Sequence, residues 1–213
     1  MTREKLHDLA MASPIILWFA VGAVGSSLRA LELFGAKAGT AQISLQIATV
    51  VFLMVAIALF IIRKPPIKKA KGAGPVSAGV IGCLTPFLVL VLPRATLSQS
   101  ALAVLSALGL LGTAASIYVL FWLGRSFSIL PQARGLVTNG PYRSIRHPLY
   151  LAEFVIIASK AFELAPPWAV VALMVAIGSQ IARIHYEEEV LSEAFPDYKA
   201  YARRTARLIP GVY

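Results

Sequence analysis

Apolar residues in this chain come in long blocks, with neither alternation nor heptads. Six blocks, at 14–34, 41–62, 76–92, 101–123, 149–164 and 168–184, are separated by short polar stretches. A helix that crosses a bilayer needs about 20 apolar residues. A block that is apolar on every face predicts a helix surrounded by lipid or protein, not an amphipathic surface helix. The last two blocks are the shortest, and Ala165-Pro166-Pro167 between them cannot continue a helix and predicts a tight reversal. They form two thin spans or a hairpin dipping in from one side, and are read here as two spans. Beyond residue 187 the chain turns polar with aromatic interruptions at Phe195, Tyr198 and Tyr201, which predicts a short helix folded back on the protein. The expected fold is all-α: a polytopic helical membrane protein of about six membrane helices, the last two a short Pro-Pro hairpin, plus a short cytosolic C-terminal helix. It reads as a single domain over 1–213, with N-terminal membrane helices in 1–123 and a functional region in 124–213.

Composition agrees. Of 213 residues, 58% are hydrophobic and 14% charged, more apolar surface than a soluble domain of this size can bury. The net charge of +10 would suit a nucleic-acid partner, but the distribution of charge assigns it to topology instead. Sixteen of the 20 Lys and Arg residues fall at the N-terminus, in the loop at 63–71, in the segment 125–146 or in the tail from Arg183; Lys37, Arg94 and Lys160 lie on the opposite side, and Arg29 lies inside the first block. By the positive-inside rule both termini and the polar segment before the hairpin face the cytoplasm, with no nucleic acid expected. The basic loop RKPPIKKAK then reads as an orientation signal that also touches membrane lipids of anionic type. Arg3 and Lys5 ahead of an apolar run resemble a secretory signal, but the run continues to Leu33 without a cleavage pattern. The one cysteine, Cys83, sits in an apolar stretch, so neither an intrachain disulfide nor a multi-cysteine metal site is expected.

Two polar clusters break the pattern. In NGPYRSIRHPLYLAEF (139–154), Pro148 suits the first turn of a helix and pushes His147 towards an extended conformation. The free N–H groups of that helix then meet Arg146 and His147 in an anion-attracting corner. Membrane anchoring explains Arg143, but it does not require a mixture of Tyr142, Arg146, His147 and Tyr150 between two prolines. In ARIHYEEEVL (182–191), Arg183 and Glu187 are four apart and share a helix face. Glu188 and Glu189 read as solvated, whereas Glu187 is held near the membrane boundary. The short hairpin brings both clusters to one end, where a positive and a negative wall would suit a zwitterionic ligand.

The segment GLVTNGPYRSIRHPLY, followed after the hairpin by RIHYEEEVL and YKAYARRTARLIPG, resembles the isoprenylcysteine carboxyl methyltransferase family, whose relatives include membrane phospholipid methyltransferases. The likeness covers about the last 90 residues. It implies S-adenosyl-L-methionine bound at the cytosolic face by residues 124–213, with no metal. Arg134, Gly135, Leu136 and Val137 would line the adenosine, with Gln132 a weaker candidate. Tyr142 would contact the cofactor from the turn, and His147, Pro148, Leu149 and Tyr150 would hold its amino-acid portion. Glu187 would accept hydrogen bonds from it, and Arg183, one turn deeper, would meet the substrate and serve as the catalytic residue. The family often has His where Arg134 stands, and a small residue and then Gly where this chain has Leu149 and Ala152.

Methyl transfer from a sulfonium needs alignment and exclusion of water. The implied acceptor is lipophilic, first the carboxylate of a prenylated cysteine or similar thioether, which needs no base. A phospholipid amine or small thiol would need one, from Glu187, His185 or a tyrosine. A sterol-type reductase using NADPH remains open, although the chain has no GxGxxG motif. A non-enzymatic scaffold or transporter predicts polar mid-span residues. The mid-span positions read as almost wholly apolar, with Arg29 and Lys160 as the exceptions.

Overall fold

A computed structural model describes residues 3–85 and 91–211. Its described residues form seven α-helices: α1 (Arg3–Gly35), α2 (Thr40–Ile62), α3 (Ala73–Leu84), α4 (Gln99–Leu123), α5 (Pro148–Ala161), α6 (Trp168–Ala194) and α7 (Tyr198–Arg204). A two-residue ribbon, β1 (Lys68–Lys69) with β2 (Gln132–Ala133), pairs antiparallel. Local chemistry sets most boundaries. Lys37 turns the chain between α1 and α2 with φ 51°, and Pro65-Pro66 prevents α2 from continuing. The Ser98 hydroxyl caps α4 by accepting the Ala101 N–H at 3.2 Å. Pro148 stands at the first position of α5, as its missing N–H allows.

The helices bury small and polar residues among their core hydrophobics and leave many large apolar side chains exposed. On α4, Ser106, Gly109, Gly112, Thr113 and Ser116 are buried, while Leu108, Leu111 and Phe121 are exposed. That inversion suits lipid, where close approach through small residues, not apolar burial, draws helices together. Gly112 shows it: a Cβ there would stand 2.9 Å from Ile156 Cγ1 and 3.0 Å from the Ala152 carbonyl oxygen on α5. At one end of the bundle Phe60 meets Phe19 and Phe127 edge-on, with ring centroids 6.1 and 5.2 Å away. At the other, Ala165 N–H donates to the Pro93 carbonyl and Ala95 N–H to the Glu163 carbonyl, both at 2.9 Å, tying the Pro-Pro reversal to the segment before α4.

Among the described residues four helical segments are long and apolar enough to cross a membrane: α1, α2, α4 with its continuation to Ser126, and α6. The six expected blocks are therefore not six equal helices. α3 has 12 residues and α5 has 14; at 1.5 Å per residue α5 extends about 21 Å, against a hydrocarbon thickness of about 30 Å. The block at 76–92 forms α3 as far as Leu84, and its residues 86–90 lie outside the described residues. α1 starts at Arg3, well before the apolar block, and α6 continues past residue 184 to Ala194. The tail folds back as anticipated, with the segment after α7 returning to the start of α5 through a bridge between Ala206 and Ile145.

Candidate functional site

The segment leading into α5 is pinned from both sides. Gly140 has φ +60°, and a Cβ on it would lie 2.3 Å from the Trp122 ring, so only glycine fits this turn. Tyr142 is buried, and its carbonyl accepts the Tyr201 hydroxyl at 2.6 Å. Burial pushes both phenols up, Tyr201 to about 12, so Tyr201 remains a donor across the physiological range. Ile145 bridges Ala206; the N–H groups of Arg146 and His147 donate to the Ala206 and Arg207 carbonyls at 2.8 and 3.1 Å. His147 thus enters α5 with its backbone held by the returning tail. The first helical bond of α5 runs from Leu151 N–H to the His147 carbonyl, which leaves the N–H groups of Leu149 and Tyr150 without acceptors in the helix ladder.

Glu188 is the hub of this end. Its Oε1 accepts from Arg146 Nε at 2.7 Å and lies 3.2 Å from His147 Nε2, and its Oε2 accepts from Arg207 at 2.7 Å. Arg146 also donates to the carbonyls of Ala202 and Thr205 at 2.5 and 2.6 Å. The expectation that Glu188 is solvated is therefore wrong: a carboxylate gathering two arginines and a histidine from two other segments is structural glue. Adjacent helix residues point about 100° apart, and only the packing decides which glutamate faces inward.

Glu187 faces another way, accepting the Tyr150 hydroxyl at 2.6 Å. Arg183 is buried and does not turn to Glu187. Its Nη1 donates to Glu153 on α5 at 3.1 Å and to Gln180 at 3.3 Å, its guanidinium lies 4.5 Å from the Tyr150 ring centroid, and its Nε has no hydrogen-bond partner. Gln180 also donates to Glu153, at 3.2 Å. On α3, a Cβ at Gly82 would lie 3.0 Å from Arg183 Cδ, so glycine opens the space the arginine fills. Glu153 corrects the reading of apolar mid-span positions. A carboxylate inside block 149–164 was the available signal, since ionisable groups in membrane segments mark function.

The loop before the turn splits its residues. Gly135, Leu136 and Val137 are half-buried and outside regular structure, available to line a ligand. The Arg134 side chain turns away from α5 and α6: Asp8 of α1 accepts from it at 2.7 and 3.1 Å, and the Gln132 side chain and Lys64 carbonyl accept from it as well. The same Asp8 accepts from Arg63 at 2.9 and 3.1 Å. Arg63 is thus buried in an ion network, and the purely topological reading of the 63–71 loop fails for it; Lys68 in that loop pairs with Glu193 at 2.6 Å.

Tyr142, His147, Pro148, Leu149, Tyr150 and Glu187 consequently share the end of the bundle opposite the Pro-Pro reversal, where α5 begins and α6 nears its end, with Arg183 one turn along. The donor set suits a zwitterion with an extended polar body. It combines the free N–H groups of α5, the Glu187 carboxylate and half-buried loop backbone beside Ser126, whose hydroxyl is 2.7 Å from where a Gly135 Cβ would stand. Elsewhere the surface opens into a groove of about 420 Å³ between α6 and α7 bordered by His185, Glu188, Tyr198 and Arg203, and a cavity of about 220 Å³ among α1, α2, α3 and the 128–132 segment. Among the described residues no three His, Cys, Asp or Glu side chains cluster to hold a metal ion.

Comparison with known proteins matches residues 97–198 to the phospholipid methyltransferase family. The nickel-cobalt-cadmium resistance protein NccN of Alcaligenes xylosoxydans xylosoxydans is 35% identical over 113 residues, 51% of each chain. The cobalt-zinc-cadmium resistance protein CzcN of Cupriavidus metallidurans is 42% identical over 77 residues, 35% of each. Protein-S-isoprenylcysteine O-methyltransferase A of Arabidopsis thaliana is 36% identical over 96 residues, 42% of this chain and 49% of the relative. The chain spans about half or less of the length of each of these relatives.

Proposed function

We propose that the chain, whose residues 97–198 match the phospholipid methyltransferase family, is an integral membrane enzyme that uses S-adenosylmethionine to methylate a lipophilic acceptor. The convergence of His147, Tyr150, Glu187 and Arg183 where α5 begins and α6 nears its end carries this reading. S-adenosylmethionine supplies a methyl group already activated on a sulfonium, so the protein's task is alignment and dryness. Glu187 receives its ammonium; the free N–H groups of Leu149 and Tyr150, with His147 and Pro148 at the helix start, receive its carboxylate. Gly135, Leu136, Val137 and the Arg134 backbone line the adenosine, and Tyr142 closes the turn beside it. Arg183 holds the acceptor. This end of the bundle, both termini included, faces the cytoplasm by the positive-inside rule, and the α5–α6 hairpin enters from that side with α5 too short to cross alone.

Arg183 favours a carboxylate acceptor such as that of a prenylated cysteine, the substrate in the name of the Arabidopsis relative. That acceptor must displace Glu153 from the arginine. Glu153 itself supports a second reading, a protic acceptor such as a phospholipid amine or a small thiol. The amine or thiol proton would pass to the Glu153 carboxylate as the nucleophile attacks, with Arg183 holding the carboxylate in place. The function is tested by calorimetric titration of the purified protein with S-adenosylhomocysteine and, separately, NADPH. Only the first should bind; binding of NADPH alone would favour a reductase, and binding of neither a scaffold. Membranes incubated with methyl-labelled cofactor then separate the acceptors, because a methyl ester releases its label in base and a methylated amine or thiol keeps it.

A further inference from the structure

We infer that Asp8, on the first turns of α1, is a positioning residue for the cofactor loop, so that cofactor affinity is set partly from outside the family segment. The inference rests on assigning residues 134–137 to the cofactor. Asp8 lies 126 positions before Arg134, yet its Oδ1 and Oδ2 accept from Arg134 Nη2 and Nη1 at 2.7 and 3.1 Å. Asp8, Arg63 and Arg134 are 5%, 5% and 2% exposed. Two guanidiniums converge on one carboxylate here, and without it they would face each other as uncompensated buried charges.

What the carboxylate holds matters more than the pairing. Residues 135–138 have no regular secondary structure. Upstream, the short ribbon ends at Ala133, whose carbonyl accepts from Ile67 N–H at 2.7 Å. Arg134 is thus the last strongly anchored residue before the half-buried stretch that lines the proposed adenosine site. Its fork geometry fixes the guanidinium plane against Asp8, and Gln132 Oε1 accepts a further bond at 2.7 Å. α1 in turn is tied down beside α2 by the Lys5 ammonium donating to the Arg63 carbonyl at 2.5 Å. The N-terminal helices therefore act on the site through this carboxylate, as a brace for a loop with little structure of its own.

The chain in nanodiscs, as wild type, Asp8→Asn and Arg63→Met, is titrated calorimetrically with S-adenosylhomocysteine at a temperature where all three remain folded, and each is melted separately. Arg63→Met leaves the Asp8–Arg134 pair charge-balanced. It should lower the melting temperature and hold the affinity within about twofold, whereas Asp8→Asn should weaken affinity at least tenfold. Equal affinities in wild type and Asp8→Asn, or equal weakening in both variants, would overturn the positioning role and leave the proposed function standing. A wild-type protein that does not bind would remove the proposed function itself, and this inference with it. If Asp8→Asn fails to accumulate, Asp8→Glu, which keeps the charge but shifts it by a methylene, replaces it, with a three- to tenfold loss expected and unchanged affinity counting against the role.

Discussion

Asp8 and Glu188 are both carboxylates that draw together cations from distant segments, but they do so in different surroundings. Asp8 binds two arginines with side chains 0% and 6% exposed. Glu188 is 13% exposed, and one of its three partners, Arg207, is 34% exposed and lies on the returning tail. The first knot is closed and permanently charged. The second includes an imidazole and borders the groove between α6 and α7. One device thus takes two forms: a closed tie between the N-terminal helices and the 132–134 segment, and a more open tie between α6, the start of α5 and the returning tail. Burial sets which form the tie takes, because a closed knot cannot release a cation without leaving it uncompensated.

The difference predicts unequal costs. Asp8→Ala leaves two buried guanidiniums without a counterion and should lower stability by about 3–5 kcal/mol. Glu188→Ala should lose about 1–3 kcal/mol, since water can reach some of its partners. Chemical or thermal unfolding in one detergent measures both, and equal losses would break the distinction between closed and open knots.

A third carboxylate sharpens the comparison. Glu153 also pairs with an arginine, Arg183, but its side chain is 23% exposed. By the same logic it is the most able of the three to give up its partner. If the acceptor is protic, Glu153→Gln should slow turnover about 100-fold while leaving S-adenosylhomocysteine affinity unchanged. A carboxylate acceptor predicts little loss, or a gain as Arg183 is freed. Asp8→Asn should give the reverse pattern, with affinity falling first.

The parts of this arrangement that the sequence made legible are those coded by neighbours along the chain. Pro148 and the Pro166-Pro167 pair mark helix starts and a reversal by geometry that no context overrides, and α5 and α6 begin as they dictate. The joining of the RHP and Glu-rich clusters followed from the shortness of the hairpin. What stayed hidden depended on rotation or distance. Nothing local says that Glu188 and not Glu187 meets His147, that Arg183 reaches across to Glu153, or that Arg134 turns back to Asp8. Apolar block length could not give helix length either: α1 includes the mixed polar and apolar residues 3–13, and α6 extends ten residues past its apolar block.

The tail anchoring offers a smaller test of the open knot. With Glu188→Gln, Arg146 and Arg207 lose the Glu188 carboxylate, and the segment at 205–207 keeps its backbone bonds to 144–147 and the bonds from Arg146 to the Ala202 and Thr205 carbonyls. Limited proteolysis should then cut within residues 203–211 several-fold faster than in wild type, while Asp8→Asn leaves that rate unchanged. Acceleration by both variants would mean that the two knots are mechanically coupled.

Smallest of all is the effect expected from Tyr201→Phe. The Tyr201 hydroxyl donates to the buried Tyr142 carbonyl, and its removal leaves one buried acceptor unsatisfied, at a cost of about 1 kcal/mol. The benzene ring still fills the same space against Tyr198, so the tail should stay docked and resist protease as the wild type does. If the hydroxyl serves only to dock the tail, the affinity for S-adenosylhomocysteine should also hold, because the Glu188 knot fixes the same turn by a stronger route. A loss of affinity with the tail still docked would show that the 140–143 turn is tuned by single neutral hydrogen bonds. The contrast between charged braces and the rest of the packing would then be too coarse for this site.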